Sequence, residues 1–142
     1  MKNAVVALIA LAAAAAFAAS EKPWTAPTRA AARKNPVPMN ETSLALGRAV
    51  YERECIDCHG ANGKGDGRVA KKLEKRPSDL SNPGLREQTD GALLWKVTEG
   101  HDPMPTFKNT TSEQERWPVI NFIRSLASKP AGSDQPKGKS KP

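Results

Sequence analysis

The sequence predicts a small all-α domain, folded around a core that the chain does not fully supply. Three observations lead there. No segment of the 142 residues alternates apolar and polar side chains as a half-buried strand would, whereas several stretches repeat apolar residues every three or four positions. Apolar residues are also scarce where a core needs them. Of 54 hydrophobic residues, 17 fall in the first 20 positions, leaving about 30% for residues 21–142, against roughly 45–50% in ordinary globular domains. A domain this poor in apolar side chains either stays unfolded or completes its core with a non-protein group. Finally, both cysteines of the chain, Cys55 and Cys58, precede His59 in one short run. The length allows one domain with tails and excludes doubly wound and barrel enzyme scaffolds.

Residues 1–20 read as an address rather than as fold. Lys2 gives a short positive start, and Ala4 to Ala19 is an unbroken apolar run of 16. Small residues at Ala16, Ala18 and Ser20 suit cleavage, the pattern of a secretory signal peptide. The run falls short of the ~20 residues that span a bilayer. The expectation is an exported protein, periplasmic or otherwise outside the cytoplasm, with no stable membrane insertion. Residues 21–41 hold Pro23, Pro27, Pro36 and Pro38, which predicts an extended basic arm rather than a helix.

Residues 42–128 are the expected domain. A helix should begin near Thr42 or Ser43 and run to Glu54, with Leu44, Leu46, Val50 and Tyr51 at helical spacing. A glycine-rich turn follows from Gly60 to Gly67. Asp66 is the expected cap of a short helix whose Val69 and Leu73 share one face. Pro77 to Gly84 reads as loop. Thr89 or Asp90 caps the next helix, with Leu93, Leu94 and Val97 inward and Gly100 as its stop. Pro103 and Pro105 force an extended segment. Ser112 and Glu115 form a capping box ahead of Ile120, Ile123 and Ala127. Pro118 lies only six positions past that cap and should distort the first turns or displace the start of the helix. From Lys129 onward Lys, Pro, Gly and Ser predict a disordered basic tail.

The formal net charge is +7, but residues 41–128 carry 13 basic and 13 acidic side chains. The excess belongs to the ends, +3 over residues 21–40 and +3 over residues 129–142. A neutral domain with basic ends argues against nucleic acid as a partner.

Cys55-Ile-Asp-Cys58-His59 is the C-x-x-C-H pattern of haem c attachment. Two thiols one turn apart can each add across a vinyl group on one edge of the porphyrin. The next residue then offers its imidazole to the iron, and the second ring nitrogen needs an acceptor to fix its orientation. Other readings of the motif lack support. A redox pair needs a βα context, zinc needs more ligands than His101 would add, and a disulfide here would close too small a loop to stabilise much.

Over about residues 42–128 the chain resembles class I c-type cytochromes. Gly47 and Tyr51 are similar to the family's glycine–aromatic pair, which packs against an aromatic of the last helix, here Phe122. Gly60, Gly63, Gly65 and Gly67 resemble the loop that follows the haem motif in bacterial members. Pro77-Ser-Asp-Leu80 resembles the proximal proline–leucine loop, and Gly100-His-Asp-Pro-Met104-Pro-Thr-Phe107 the segment that presents the distal methionine. The resemblance implies a cytochrome c-like helical shell around one covalently bound haem c. His59 and Met104 would be its axial ligands. His101, Met39 or an open position are the rivals of Met104. It also implies that the Pro77 carbonyl accepts the His59 Nδ1 hydrogen and that Phe107 and Leu80 wall the haem. Trp95 would lie either near a propionate or in plain core, and Trp117 would pack at the start of the last helix.

The expected function is single-electron transfer with no catalytic residues, either as a free carrier or as the haem subunit of a larger oxidoreductase. The alternative is a haem sensor or peroxidatic enzyme with a displaceable distal ligand. Lys64, Arg68, Lys71, Lys72, Lys75 and Arg76 form either a solvated helix face or a docking patch for an acidic redox partner.

Overall fold

The computed structural model describes residues 23–128. The signal peptide expected over residues 1–20 and the tail expected over residues 129–142 therefore lie outside the described residues. Among the described residues there are five α-helices, two 3₁₀ turns and no strand: α1 (Thr28–Ala31), α2 (Glu41–Glu54), α3 (Ile56–His59), α4 (Asp90–Glu99) and α5 (Glu113–Ser128), with 3₁₀ turns at Ala70–Lys72 and Pro83–Glu87. The domain is all-α, as the missing alternation predicts. Among the described residues no helix is long and apolar enough to cross a membrane.

The frame is the packing of α2 against α5. The start of α2 is set by Asn40, one residue before the helix. Its side chain accepts from the Ser43 amide at 2.9 Å while the Ser43 hydroxyl accepts from the Asn40 amide at 3.0 Å. That reciprocal cap starts the helix slightly earlier than Thr42. At Gly47 the two helices approach closely. A Cβ there would fall on the Pro118 carbonyl oxygen and stand 2.9 Å from the Phe122 Cβ. One turn on, Tyr51 meets Phe122 with ring centroids 5.1 Å apart, within the range of favourable tilted aromatic pairs. Val50, Trp117, Ile120, Ile123 and Leu126 join Leu93, Leu94 and Val97 of α4 in one core.

α5 starts as its capping box predicts and continues through Pro118. The Glu115 carboxylate accepts from the Ser112 amide at 2.9 Å, and the Ser112 hydroxyl accepts from the Glu115 amide at 3.3 Å. Pro118 withholds one helical donor, and the turns around it are held by burial of Trp117, Val119 and Ile120.

Three local expectations give way. Asp66 caps nothing. The segment after it reaches only the three-residue 3₁₀ turn Ala70–Lys72, because the amides before it are committed to α3 (below). The loop expected over 77–84 ends in the 3₁₀ turn Pro83–Glu87. The arm also differs from an extended segment. It contains α1, buries Ala26, and is fastened along its length. The Thr89 hydroxyl, which caps α4 by accepting from the Ala92 amide, donates to the Ala31 carbonyl at 2.6 Å. Arg33 pairs with Glu113 and lies over the Trp117 ring. Asn35 donates to Asn121 Oδ1 at 2.9 Å, and Asn121 donates to the Val37 carbonyl at 3.1 Å.

Candidate functional site

α3 is a single turn, too short to persist alone. Its neighbours hold it. The Cys58 and His59 amides both bond the Cys55 carbonyl, at 3.2 and 2.9 Å, which puts the three residues on one turn. The glycine-rich loop then wraps back to satisfy the end of the turn. The amides of Gly65, Gly67 and Val69 donate to the carbonyls of His59, Cys58 and Asp57 at 2.9, 3.1 and 3.0 Å. Gly65 does so at φ +69°, with the Pro77 carbonyl oxygen occupying the place where a Cβ would go, so only glycine fits. Tyr51 donates its hydroxyl to the Gly60 carbonyl at 2.7 Å, and burial raises its pKa, keeping it a donor. Arg68 holds Asp57 through two 2.6 Å bonds, which lowers that carboxyl's pKa.

The His59 Nδ1 lies 3.0 Å from the Ser78 carbonyl oxygen. The expected acceptor, Pro77, is displaced by one residue because its carbonyl is turned against Gly65. A carbonyl only accepts, so Nδ1 carries the hydrogen and Nε2 keeps its lone pair. Burial pushes the imidazole below its ordinary pKa, against a smaller upward effect of the Ser78 bond. The ring is therefore neutral near pH 7, the form that binds metal. Cys55 is buried, and its thiol is pushed up to about 12, chiefly by desolvation and then by Glu54 and Cys58.

The opposite wall follows α4. Gly100 ends that helix. His101 and Met104 then exchange both backbone hydrogen bonds, at 3.0 and 2.8 Å, closing a tight turn across Pro103. Thr106 donates to the Thr98 carbonyl at 2.7 Å, and the buried Arg116 donates to the carbonyls of Phe107 (3.1 Å) and Thr111. Both ends of the methionine loop are thus tied to helices.

Between these walls lies a cavity of about 550 Å³, within the usual size range of ligand pockets. Cys55, Cys58, His59 and Met104 all line it, with Phe107 beside them. Leu80 does not line it; its amide is bonded to the Gly63 carbonyl and its side chain packs on the core. Trp95 is half-buried away from the lining, and Met39 is 55% exposed. His101 is exposed at the rim. Trp24 of the arm lines the cavity too, a residue to which the sequence reading gives no role. The available signal was a single aromatic in a proline-rich, charged stretch. Among the described residues no group of three or more His, Cys, Asp and Glu side chains is placed to hold a metal ion.

Residues 44–127 match the Cytochrome c family. The chain belongs to the cytochrome c family. Among solved structures, this cytochrome is similar to a chain of the reducing HAO-like protein complex of Kuenenia stuttgartiensis, at 28% identity and a TM-score of 0.57. The similarity covers 64% of the cytochrome and 46% of that chain, so the cytochrome spans under half of the relative's length. No curated protein matches it. A cytochrome c domain implies covalently bound haem c, and the residues present fit that group. They supply two thiols on one turn, a neutral imidazole with its Nδ1 occupied, and a thioether across the same apolar cavity.

Proposed function

We propose that this cytochrome is an exported, monohaem carrier of single electrons. Cys55 and Cys58 would form the two thioether bonds, and His59 and Met104 would be the axial ligands. The observation that carries the proposal is the convergence of the Cys55–His59 turn and Met104 on one cavity. When bound, the haem supplies reversible one-electron exchange between Fe(II) and Fe(III). The protein supplies the rest. The Ser78 carbonyl orients the imidazole and raises its basicity, the glycine loop fixes the turn that bears both cysteines, and the tied loop presents a thioether that favours Fe(II). The single C-x-x-C-H run supports one haem, and the pattern of residues 1–20 supports export.

The likeness to a chain of a protein complex supports work beside redox partner proteins, as a free carrier or as the haem-bearing subunit of a larger oxidoreductase. Lys75 and Arg76 stand at the cavity rim next to the exposed Lys71 and Lys72. That placement favours a partner with an acidic docking surface. No residue is assigned a catalytic role.

The test is chemical and spectroscopic. Acidified organic solvent should leave the haem on the purified protein, and replacing Cys55 and Cys58 by Ala should abolish the holoprotein. The oxidised form should show the near-infrared methionine–iron band. Freely extracted haem would overturn the attachment. An oxidised protein without the band, binding carbon monoxide readily once reduced, would favour a sensor or peroxidatic enzyme instead.

A further inference from the structure

We propose that the N-terminal arm is a strap on the methionine loop, and that Trp24 is a positioning residue for Met104. The inference rests on the reading of Met104 as the distal ligand. The arm lies before residue 44, where the family match begins, and is outside the matched segment.

The loop from Gly100 to Phe107 presents Met104 from a rim whose other residues are largely exposed. His101 is the exposed one that matters most, because it and Met104 share both of their backbone hydrogen bonds. Displacing His101 therefore displaces Met104. The Trp24 indole lies against the His101 ring with centroids 5.2 Å apart. It is itself held by Lys96, whose ammonium lies 5.2 Å from the indole centroid while donating to Gln88 at 2.6 Å. Pro23 and Trp24 also line the cavity beside the loop.

A side chain at the end of a loose segment would hold nothing. This segment is fixed behind Trp24 by the Thr89–Ala31 bond, the Arg33–Glu113 pair and the Asn35–Asn121 bond. It also lies so close to α4 that a Cβ on Gly91 would collide with the Ala30 carbonyl oxygen and stand 2.7 Å from that of Arg33. A thioether is a weak ligand, retained when its loop has nowhere else to go. The strap restricts that loop from outside.

Holoprotein of the full chain can be compared in wild-type, Trp24→Ala, Trp24→Phe, Gly91→Ala and Met104→Ala forms. The readouts are the methionine–iron band, the rate of cyanide binding to the oxidised form, and hydrogen exchange of the His101 and Met104 amides. Trp24→Ala should speed both cyanide binding and exchange by about three- to tenfold, the scale of one lost aromatic contact. Trp24→Phe should recover most of the difference. Gly91→Ala, which lifts the arm without touching the loop, should reproduce the Trp24→Ala result. In a His101→Ala background, Trp24→Ala should add little, since the contact is already gone. Wild-type rates and exchange in both Trp24→Ala and Gly91→Ala would overturn the strap, and if Met104→Ala still opens the iron, the ligand reading survives alone. If Met104→Ala leaves the spectrum unchanged, the ligand reading fails and the strap falls with it.

Discussion

His59 donates its Nδ1 hydrogen to the Ser78 carbonyl, and that one bond leaves Nε2 as the ring's only lone-pair donor. Cys55, Cys58 and His59 stand out in the sequence because they are nearly contiguous, and the fold brings all three to one turn on the cavity. Gly47 is the clearest case of a residue defined by what it lacks. Gly47→Ala would drive a methyl group into the Pro118 carbonyl and against Phe122. The substitution should destabilise the holoprotein by about 1–3 kcal/mol, the range for overpacking a close contact, as read by denaturant unfolding. An unchanged midpoint would mean that α2 and α5 separate freely. The carbonyl that accepts from His59 was not legible to the residue. Whether Pro77 or Ser78 faces the ring depends on how Gly65 seats itself against the loop, and no pattern within the loop encodes that. Trp24 was invisible for a related reason, since its partners His101 and Lys96 lie far along the chain.

Among the elements, α5 shows a local code that works. The box of Ser112 and Glu115 starts the helix, and a proline in its second turn does not end it. The Glu115 carboxyl is held below its ordinary value of 4.5 by bonds from the Ser112 amide and hydroxyl, and then by Arg53. A carboxylate with a lowered folded pKa contributes stability that is complete above the unfolded value and lost as pH falls through the folded one. The melting temperature of Glu115→Gln should therefore lie below wild type at pH 7, with the gap closing well below pH 4.5. A gap that persists in acid would show that charge is not the cause. Ser112→Ala should cost about 0.5–2 kcal/mol at neutral pH, the usual loss of a cap. The helix expected after Asp66 shows where local code fails. Asp66 is a suitable cap, but Gly65, Gly67 and Val69 on either side donate to the carbonyls of α3, and backbone already engaged in one task cannot begin another. The proline content of the arm likewise hid α1, which fits between Pro27 and Pro36.

For the molecule as a whole, the apolar shortage was the most informative number in the sequence. The shell it predicts is present, with a cavity of about 550 Å³ faced by the thiols, the imidazole and the thioether. What composition could not show was that the basic arm belongs to the packed body. Asn121 makes the point. It is 3% exposed, accepts from Asn35 across to the arm, and donates to the Val37 carbonyl and to Ser43 on α2. Asn35→Ala would leave the Asn121 carbonyl oxygen buried without that donor. The holoprotein should then lose about 1–3 kcal/mol in denaturant unfolding, the penalty of a stranded polar group; no loss would mean that water replaces the arm at no expense.

Ancestry and mechanics therefore draw this domain's border in different places. Similarity to the family begins at residue 44, while a buried amide on the last helix finds its side-chain partners in residues 35, 37, 38 and 43, all before that point. A fragment trimmed to the shared region would keep every residue that faces the cavity from α3 and the methionine loop, yet would expose an asparagine at its centre to a partnerless interior. Any grafting or fusion of this cytochrome should keep the arm from Pro23 onward, which lines the cavity with Trp24, rather than begin where the resemblance starts.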